Sequence, residues 1–283
     1  MPRFGNYIQD HMLLQRAPQR AIVWGYGDPG QLTTLTMNGQ IYSTISQSER
    51  ANAENESIWS VTLDPVSDEG PFDIHVSQPL ANGTLVTITI HDVLFGDVWI
   101  CSGQSNMELT VNMIYNGSME IENAGNYPKI RLFTAEREES SLPIEELIRI
   151  RLNWSVSSPS SVGGSDWKYM SAVCWLYGRM IHEALDGRPI GLVATSWGGT
   201  AIEYWMPPKA LKDCNITKYV WNILQMFSQS FSFDFFYKSD YGAIESYDER
   251  SVFAPTKHSG LYNAMIYPFT RMVIYGLIWY QGS

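Results

Sequence analysis

Three apolar segments, each ending in a glycine-containing polar corner, constrain the fold of this chain more than any other feature. They are DVWICSG (residues 97–103), PIGLVATSWGG (189–199) and MVIYGLIWYQGS (272–283). Near-continuous apolar runs of this kind are typical of strands buried on both faces, and helical periodicity between them indicates crossover helices. The pattern therefore predicts a parallel sheet in an α/β domain over residues 96–283.

Other segments of the same region fit this alternation. IRLFTA (130–135) predicts a further strand, and SAVCWLYGRMIHEALDG (171–187) predicts a helix that stops at a glycine. The nineteen residues NMELTVNMIYNGSMEIENA (106–124) are compatible with one long helix. Residues of about 213–257 are aromatic and acidic, and we interpret them as a surface insertion, with a substrate lid as the alternative.

Residues 1–95 have a different pattern, made of short strands and turns. The candidate strands are AIVWGYG, LTTLTM, IYSTIS, IWSVTLD, FDIHVS and LVTITIHDV. Asn38-Gly39 and Asn82-Gly83 are dipeptides typical of hairpin turns. This spacing predicts a smaller β-sandwich domain before the α/β domain. His75 and His91 fall inside strand patterns, so we expect structural roles for both.

Composition excludes several classes of partner. Apolar residues make up 45% of the chain and charged residues 17%, which predicts a sizeable core. The formal charge of −10, with no basic cluster, argues against nucleic acid or an anionic membrane surface. No uncharged stretch reaches transmembrane length, so membrane insertion is not expected, and no protein partner is predicted.

Asparagine and cysteine patterns bear on the compartment. Sequons for N-glycosylation occur at Asn55, Asn82, Asn116, Asn153 and Asn215. They favour a secretory-pathway protein, lysosomal or extracellular, whose signal peptide is not present in this chain. Cys101, Cys174 and Cys214 allow at most one internal disulfide, whose pairing the sequence leaves open. No His/Cys/Asp cluster has ligand spacing, so no metal and no cofactor is implied.

The corner CSGQSNM suggests nucleophilic chemistry. Ser105 lies just past a strand and at the start of a helix, where its hydroxyl is exposed and backbone N–H groups are near, while Gly103 permits the tight turn. Two serines compete: Ser102, before the turn, and Ser196, in a sequence close to the G-x-S-x-G elbow of α/β-hydrolases. A capped helix without catalytic function is the structural alternative.

A family resemblance supports the catalytic interpretation. GDVWICSGQSNMELTV, KYMSAVCWLYGR, PIGLVATSWGGTAIEYW, HSGLYNAMIYP and GLIWYQG resemble, in order and spacing, the sialate O-acetylesterases of the SGNH-hydrolase superfamily. The resemblance implies an SGNH-like α/β domain after a β-rich one, with Ser105 as nucleophile. It implies oxyanion or substrate contacts by Gly198 or Gly199 and by Gln281. Gln104 and Asn106, which flank Ser105, are further candidates for such contacts.

The chain departs from the family pattern near residue 283. The family has glutamate after Trp-Tyr-Gln-Gly, where this chain has Ser283, and its Asp-x-x-His block with the general base is absent. The catalytic base is therefore unassigned, with His258 as the remaining candidate. We expect a truncated, catalytically incomplete form, feebly active and poorly stable because its last strand is left uncovered.

The sequence thus predicts a serine carbohydrate O-acetylesterase that acts on O-acetylated sialic acids. Trp197, Tyr204 and Trp205 are candidates for stacking on a sugar. An acetylesterase for another sugar polymer, a non-catalytic glycan-binding or regulatory form, and an α/β-hydrolase that uses Ser196 are the alternatives.

Overall fold

The computed structural model describes residues 1–47, 57–80, 82–214 and 257–282 of the chain. The strands are β1 (Arg3–Phe4), β2 (Leu13–Gln15), β3 (Ile22–Gly27), β4 (Leu32–Met37), β5 (Gln40–Ile45), β6 (Ser57–Thr62), β7 (Phe72–Pro79), β8 (Leu85–Gly103), β9 (Ile130–Ala135), β10 (Ile150–Val156), β11 (Ile190–Ser196) and β12 (Gly276–Tyr280). The α-helices are α1 (Ser105–Glu108), α2 (Gly117–Asn123), α3 (Pro159–Val162), α4 (Ala172–Ala184) and α5 (Pro208–Asp213). Within these ranges no helix combines the length and apolar character needed to cross a membrane.

A nine-stranded mixed sheet forms the centre of the molecule. Its strand order is β10-β9-β11-β8-β7-β4-β5, and β12 and β2 also pair with β8. Strands β9, β11, β8 and β12 run parallel to their neighbours within this set, whereas β10 is antiparallel to β9. The predicted α/β region with parallel strands is confirmed, with β10 as an antiparallel strand that the sequence pattern did not indicate.

Strand β8 passes without interruption through the boundary predicted at residues 95 and 96. Its first part pairs antiparallel with β7, and its last part pairs parallel with β11 and β12. Gly96 lies at the change of partners, where a Cβ would be 2.0 Å from the Pro189 oxygen. The division into residues 1–95 and 96–283 stays a prediction, because one continuous strand belongs to both parts.

All six strands predicted in the N-terminal third are present. Strands β1, β3 and β6 form a separate three-stranded sheet, and β4 and β5 form a hairpin of the nine-stranded one. The hairpin turns at Asn38 and Gly39, whose φ angles of 46° and 75° match the expected turn chemistry. One buried cluster joins Trp24 of the small sheet to Val76 and Phe133 of the large one.

The prediction of one long helix over residues 106–124 is wrong. Helix α1 ends after one turn at Glu108, and α2 begins only after Asn116, which has a left-handed φ of 58°. Gly117 then passes so close to the Val111 oxygen that a Cβ would lie 2.0 Å from it. Asn-Gly takes this conformation at low cost, so it breaks the helix where apolar spacing suggested continuity.

The second predicted helix is confirmed as α4. The Ser171 hydroxyl caps it by accepting the Cys174 N–H at 3.2 Å, and Gly187, with φ of 79°, follows its last turn. A disulfide joins Cys101 on β8 to Cys174 on α4, while Cys214 is exposed and unpaired. Residues 215–256 of the predicted insertion lie outside the described residues.

Candidate active site

Three strand ends meet at one edge of the parallel sheet. In the strand pairing, Ser196 of β11 lies beside Gly103 of β8, and Gly103 lies beside Tyr280 of β12. The corners that follow these strands are therefore neighbours in space. Ligands of parallel α/β sheets bind at this edge, beyond the carboxyl ends of the strands.

Gly103 allows the close approach of β8 and β12 at this edge. Its φ is 140°, and a Cβ at this position would lie 2.1 Å from the Tyr280 oxygen. The peptides on both sides are tied to neighbouring strands: Trp197 N–H donates to the Gly103 oxygen, and Gln104 N–H donates to the Tyr280 oxygen, both at 3.0 Å. The turn before Ser105 is therefore held from two directions.

Ser105 is the first residue of α1 and is half-buried. The Gln104 carbonyl, at the N-cap, accepts the N–H groups of Met107 and Glu108, each at 2.9 Å. Within the described ranges neither the Ser105 hydroxyl nor its backbone N–H has a protein partner, so both are available to a substrate. Gln104 and Asn106 flank Ser105 and are also half-buried.

The two competing serines occupy different environments. Ser102 is fully buried, and its hydroxyl donates to the Thr195 oxygen at 2.6 Å, which indicates a structural role between β8 and β11. Ser196 is half-buried at the end of β11, and a 3₁₀ segment begins only at Ile202. A helix directly after the serine, which the elbow of α/β-hydrolases requires, is present at Ser105 and not at Ser196.

The loop after β11 brings Gly198 and Gly199 next to Ser105. A Cβ at Gly198 would lie 3.4 Å from both Cα and Cβ of Ser105, so the loop backbone passes directly over the serine. Gly198 N–H donates to Oε2 of Glu108 at 2.5 Å, which occupies one of the two candidate oxyanion donors. Gly199 has a φ of 71° and open space around its Cβ position.

Glu108 and Arg137 belong to this site, although the sequence patterns did not single them out. The Arg137 guanidinium donates from Nη1 to Oε1 of Glu108 at 2.8 Å. Burial raises the pKa of the Glu108 carboxyl, while Arg137 and the Gly198 N–H act to lower it. The only sequence signal was the spacing of three residues from Ser105 to Glu108, which places them on one side of a helix.

Gln281 lies beside the same loop. Its Nε2 donates to the Thr200 oxygen at 2.7 Å, and its Oε1 accepts Trp279 Nε1–H at 3.2 Å. The Thr200 hydroxyl in turn donates to the Trp197 oxygen at 2.7 Å. These bonds connect the end of β12 to the glycine loop, so the amide of Gln281 supports the loop.

His258 lies against Tyr204, with the two ring centroids 5.5 Å apart. Burial lowers the pKa of its imidazole, and Glu203 acts in the opposite direction. The other histidines have partners elsewhere: His11 with Asp92, His75 with Thr89, His91 with Asp73, and His182 with the Arg188 oxygen. The described part of the chain contains no group of three or more His, Cys, Asp or Glu residues arranged to hold a metal.

The aromatic residues near the loop divide into two groups. Trp205 is only 5% exposed, and its Nε1–H donates to the Thr200 hydroxyl at 2.9 Å. The expectation that Trp205 stacks on a sugar is therefore wrong, because the ring belongs to a small core with Leu261 and Met265. Trp197 and Tyr204 are partly buried against this core and keep an accessible face.

Comparisons with known proteins show which sequences this chain resembles. Residues 95–226 match the family described as carbohydrate esterase, sialic acid-specific acetylesterase. The sialate O-acetylesterase of Homo sapiens is 40% identical over 281 residues, which is 99% of this chain and 48% of that protein. The enzyme of the same name from Mus musculus is 39% identical over 289 residues, covering 99% and 52%.

A solved structure gives the same result at the level of the fold. The crystal structure of a carbohydrate acetylesterase from Xanthomonas citri matches with a TM-score of 0.72 and 26% identity, covering 100% of this chain and 51% of that one. The chain spans about half the length of the relatives it matches. In sequence and in fold this chain is therefore similar to the sialate O-acetylesterases, and its residues 95–226 match the family of sialic acid-specific carbohydrate esterases.

Proposed function

We propose that the protein is a serine carbohydrate O-acetylesterase that removes O-acetyl groups from sialic acids. One observation carries the proposal: Ser105 lies, with its hydroxyl available, where three parallel strands end, in a segment that matches an acetylesterase family. The sialic acid specificity rests on the names of the relatives, which are 39–40% identical along nearly this whole chain.

The reaction requires few groups. Ser105 Oγ attacks the acetyl carbonyl and transfers its proton to a base, while the Ser105 and Gly199 N–H groups bind the developing oxyanion. Collapse of this intermediate expels the sugar hydroxyl, which takes up a proton, and leaves an acetyl-serine. Water then attacks the acetyl-serine to release acetate and regenerate Ser105. His258 is the candidate base among the described histidines, and His258→Gln tests it.

Steady-state hydrolysis of O-acetylated sialic acid tests the function. We expect Ser105→Ala to lower turnover by at least about 10³-fold, and Ser196→Ala to leave most of it. Loss of turnover in Ser196→Ala, with turnover retained in Ser105→Ala, would assign the nucleophile to Ser196. Binding of acetylated sialic acid without turnover would indicate a glycan-binding form.

An acetylesterase for a different sugar polymer is the second candidate. It is favoured by the similarity to the Xanthomonas citri protein, which is described only as a carbohydrate acetylesterase. Parallel assays on acetylated sialic acid and on an acetylated neutral polysaccharide distinguish the two. A higher kcat/KM on the neutral substrate would replace the sialic acid assignment.

We also propose that the protein matures in the secretory pathway, in the lysosome or outside the cell. The sequon asparagines Asn82, Asn116 and Asn153 are all exposed, as glycosylation requires. The Cys101–Cys174 disulfide is typical of oxidising compartments. Protein from its own cells should gain mobility on an electrophoretic gel after treatment with an N-glycosidase. Unchanged mobility would count against this assignment.

Finally, we infer that residues 1–95 form a β-sandwich. Strands β3 and β6 of the small sheet and β4 and β7 of the large one contribute to one buried cluster, as two facing sheets do. Native-state hydrogen exchange tests the inference: amides of β3, β4, β6 and β7 that open together, separately from those of β9 and β11, support a separate sandwich. One common opening of both groups would indicate that both parts unfold together.

A further inference from the structure

Glu108 lies on the same side of helix α1 as the candidate nucleophile. Positions three apart on a helix are neighbours, and the Gly198 backbone packs against both of these residues. A Cβ at Gly198 would lie 2.9 Å from Glu108 Oε2 and 3.4 Å from Ser105 Cβ. The loop after β11 therefore contacts both Ser105 and the Glu108 carboxylate.

The carboxylate bridges two segments that follow different strands. Oε2 accepts the Gly198 N–H, from the loop after β11, at 2.5 Å, and Oε1 accepts Arg137 Nη1–H, from the segment after β9, at 2.8 Å. Glu108 is 8% exposed and Arg137 is 19% exposed. Charge-assisted hydrogen bonds in such a setting are short and strong, and removal of one partner leaves the other charge uncompensated.

This bridge holds the peptide between Trp197 and Gly198, which comes directly before the peptide that carries the Gly199 N–H. With the Gly198 N–H directed at Glu108, the next backbone donor of the loop is the Gly199 N–H, for which the described residues offer no acceptor. A side chain at Gly198 would meet Glu108 Oε2 at 2.9 Å, so the carboxylate would have to move to admit it.

We propose that Glu108 is a positioning residue: by holding the Gly198 peptide, it sets the Gly199 N–H as the second oxyanion donor beside Ser105. Arg137 keeps the carboxylate in place. The proposal rests on the proposed esterase function. It assigns Glu108 no proton transfer, because both of its oxygens already accept hydrogen bonds from other groups.

The test compares Glu108→Ala with Glu108→Gln in steady-state hydrolysis of an acetyl ester. We expect Glu108→Ala to lower kcat by about 10²–10³-fold, as loss of one oxyanion donor does, with KM within a few-fold of wild type. Glutamine retains an oxygen for the Gly198 N–H, so Glu108→Gln should restore kcat to within about 10-fold of wild type. The acidic limb of the pH profile, where kcat falls at low pH, should lie at the same pH in Glu108→Gln as in wild type. If Glu108→Gln is as inactive as Glu108→Ala, or if that limb disappears, the residue is a base and the proposal is overturned.

The matched control is Glu120→Ala. Glu120 pairs with Arg179 and accepts Trp175 Nε1–H on other elements, so its loss measures the effect of removing a carboxylate–arginine pair alone. We expect Glu120→Ala to leave kcat unchanged at equal folded fraction. A kcat loss that is equal in the two alanine variants would mean that Glu108 has only a structural role.

A spectroscopic readout separates failure of this proposal from failure of the esterase function. Wild-type turnover no higher than that of Ser105→Ala would reject the function. In that case the Gly198 amide proton still reports on the bridge by NMR. Its resonance should lie downfield in wild type and in Glu108→Gln, and should move upfield with faster hydrogen exchange in Glu108→Ala. An unchanged Gly198 resonance in folded Glu108→Ala would overturn the proposal.

Discussion

The carbonyl oxygen of Tyr280 lies 2.1 Å from the position that a Cβ on Gly103 would occupy. This approach exists because β12 pairs with β8 up to its last residue, while the chain turns at Gly103 toward Ser105. The backbone at the end of β12 thus occupies the space that a side chain at Gly103 would need. The position of Ser105 depends on this contact, since Gln104 N–H donates to the same oxygen.

Gly103→Ala is therefore expected to lower the free energy of unfolding by about 2–5 kcal/mol, from overpacking and an unfavourable φ of 140° together. Urea denaturation measures the change. The control is Gly39→Ala, at a φ of 75° with no atom near its Cβ position, which should cost only about 1–2 kcal/mol of backbone strain. Equal losses in the two variants would show that the Tyr280 contact is relaxed at no cost.

The disulfide between β8 and α4 gives a second prediction. It closes a separation of 73 residues, for which chain-entropy estimates give about 4 kcal/mol of stabilisation. Reduction of the wild type, or the double change Cys101→Ala/Cys174→Ala, should lower the unfolding free energy by an amount of this order. Cys214→Ala is the control, because Cys214 is exposed and unpaired, and should change stability by less than about 0.5 kcal/mol. Insensitivity of the melting temperature to reductant would contradict the prediction.

We expect the chain to self-associate through strand β12. Within the described ranges it pairs with β8 alone, and Leu277 is 48% exposed on it, close to exposed Tyr275 and Tyr280. An apolar strand edge with unpaired backbone groups favours pairing with a second copy of the chain. Leu277→Lys should reduce the concentration dependence of the sedimentation coefficient. Tyr115→Lys, a change at an exposed residue outside any strand, should not reduce it.

The sequence predicted the strands of the site because their apolar runs are local and their glycine ends are conformationally specific. The convergence of Ser105, the Gly198-Gly199 loop and Gln281 followed from one rule, that parallel strands end at the same edge. The contact of Glu108 with Gly198 did not follow. This contact depends on how the loop after β11, ninety residues further along the chain, passes over the single turn of α1. Local sequence patterns contain no information about a contact between residues so far apart.

Two other features of the fold could not be predicted from the spacing of apolar residues. Apolar residues after Ser105 have helical periodicity, but the left-handed Asn116 and the close approach at Gly117 end that helix early. The two segments predicted as separate strands on either side of residue 95 form one strand, because β2, β7 and β11 all supply hydrogen-bond partners along it. Tertiary partners, which propensity does not include, decided both cases.

The His91–Asp73 pair gives a prediction about pH. His91 Nδ1 and Asp73 Oδ2 are 3.0 Å apart, and this bond raises the pKa of His91, with Asp10 adding to the effect, and lowers the pKa of Asp73. A raised histidine pKa stabilises below its unfolded value of about 6.5 and ceases to do so as pH rises through the folded value. A lowered aspartate pKa stabilises above about 4 and ceases to do so as pH falls through the folded value. Asp73→Asn should therefore cost more stability at pH 5.5 than at pH 8.5, measured by urea denaturation.

The control is Asp64→Asn, which removes a pair with Arg20. Because arginine stays charged throughout, the cost of this change should be the same at both pH values. The same pH independence in Asp73→Asn would show that the His91 pair does not contribute through its charge.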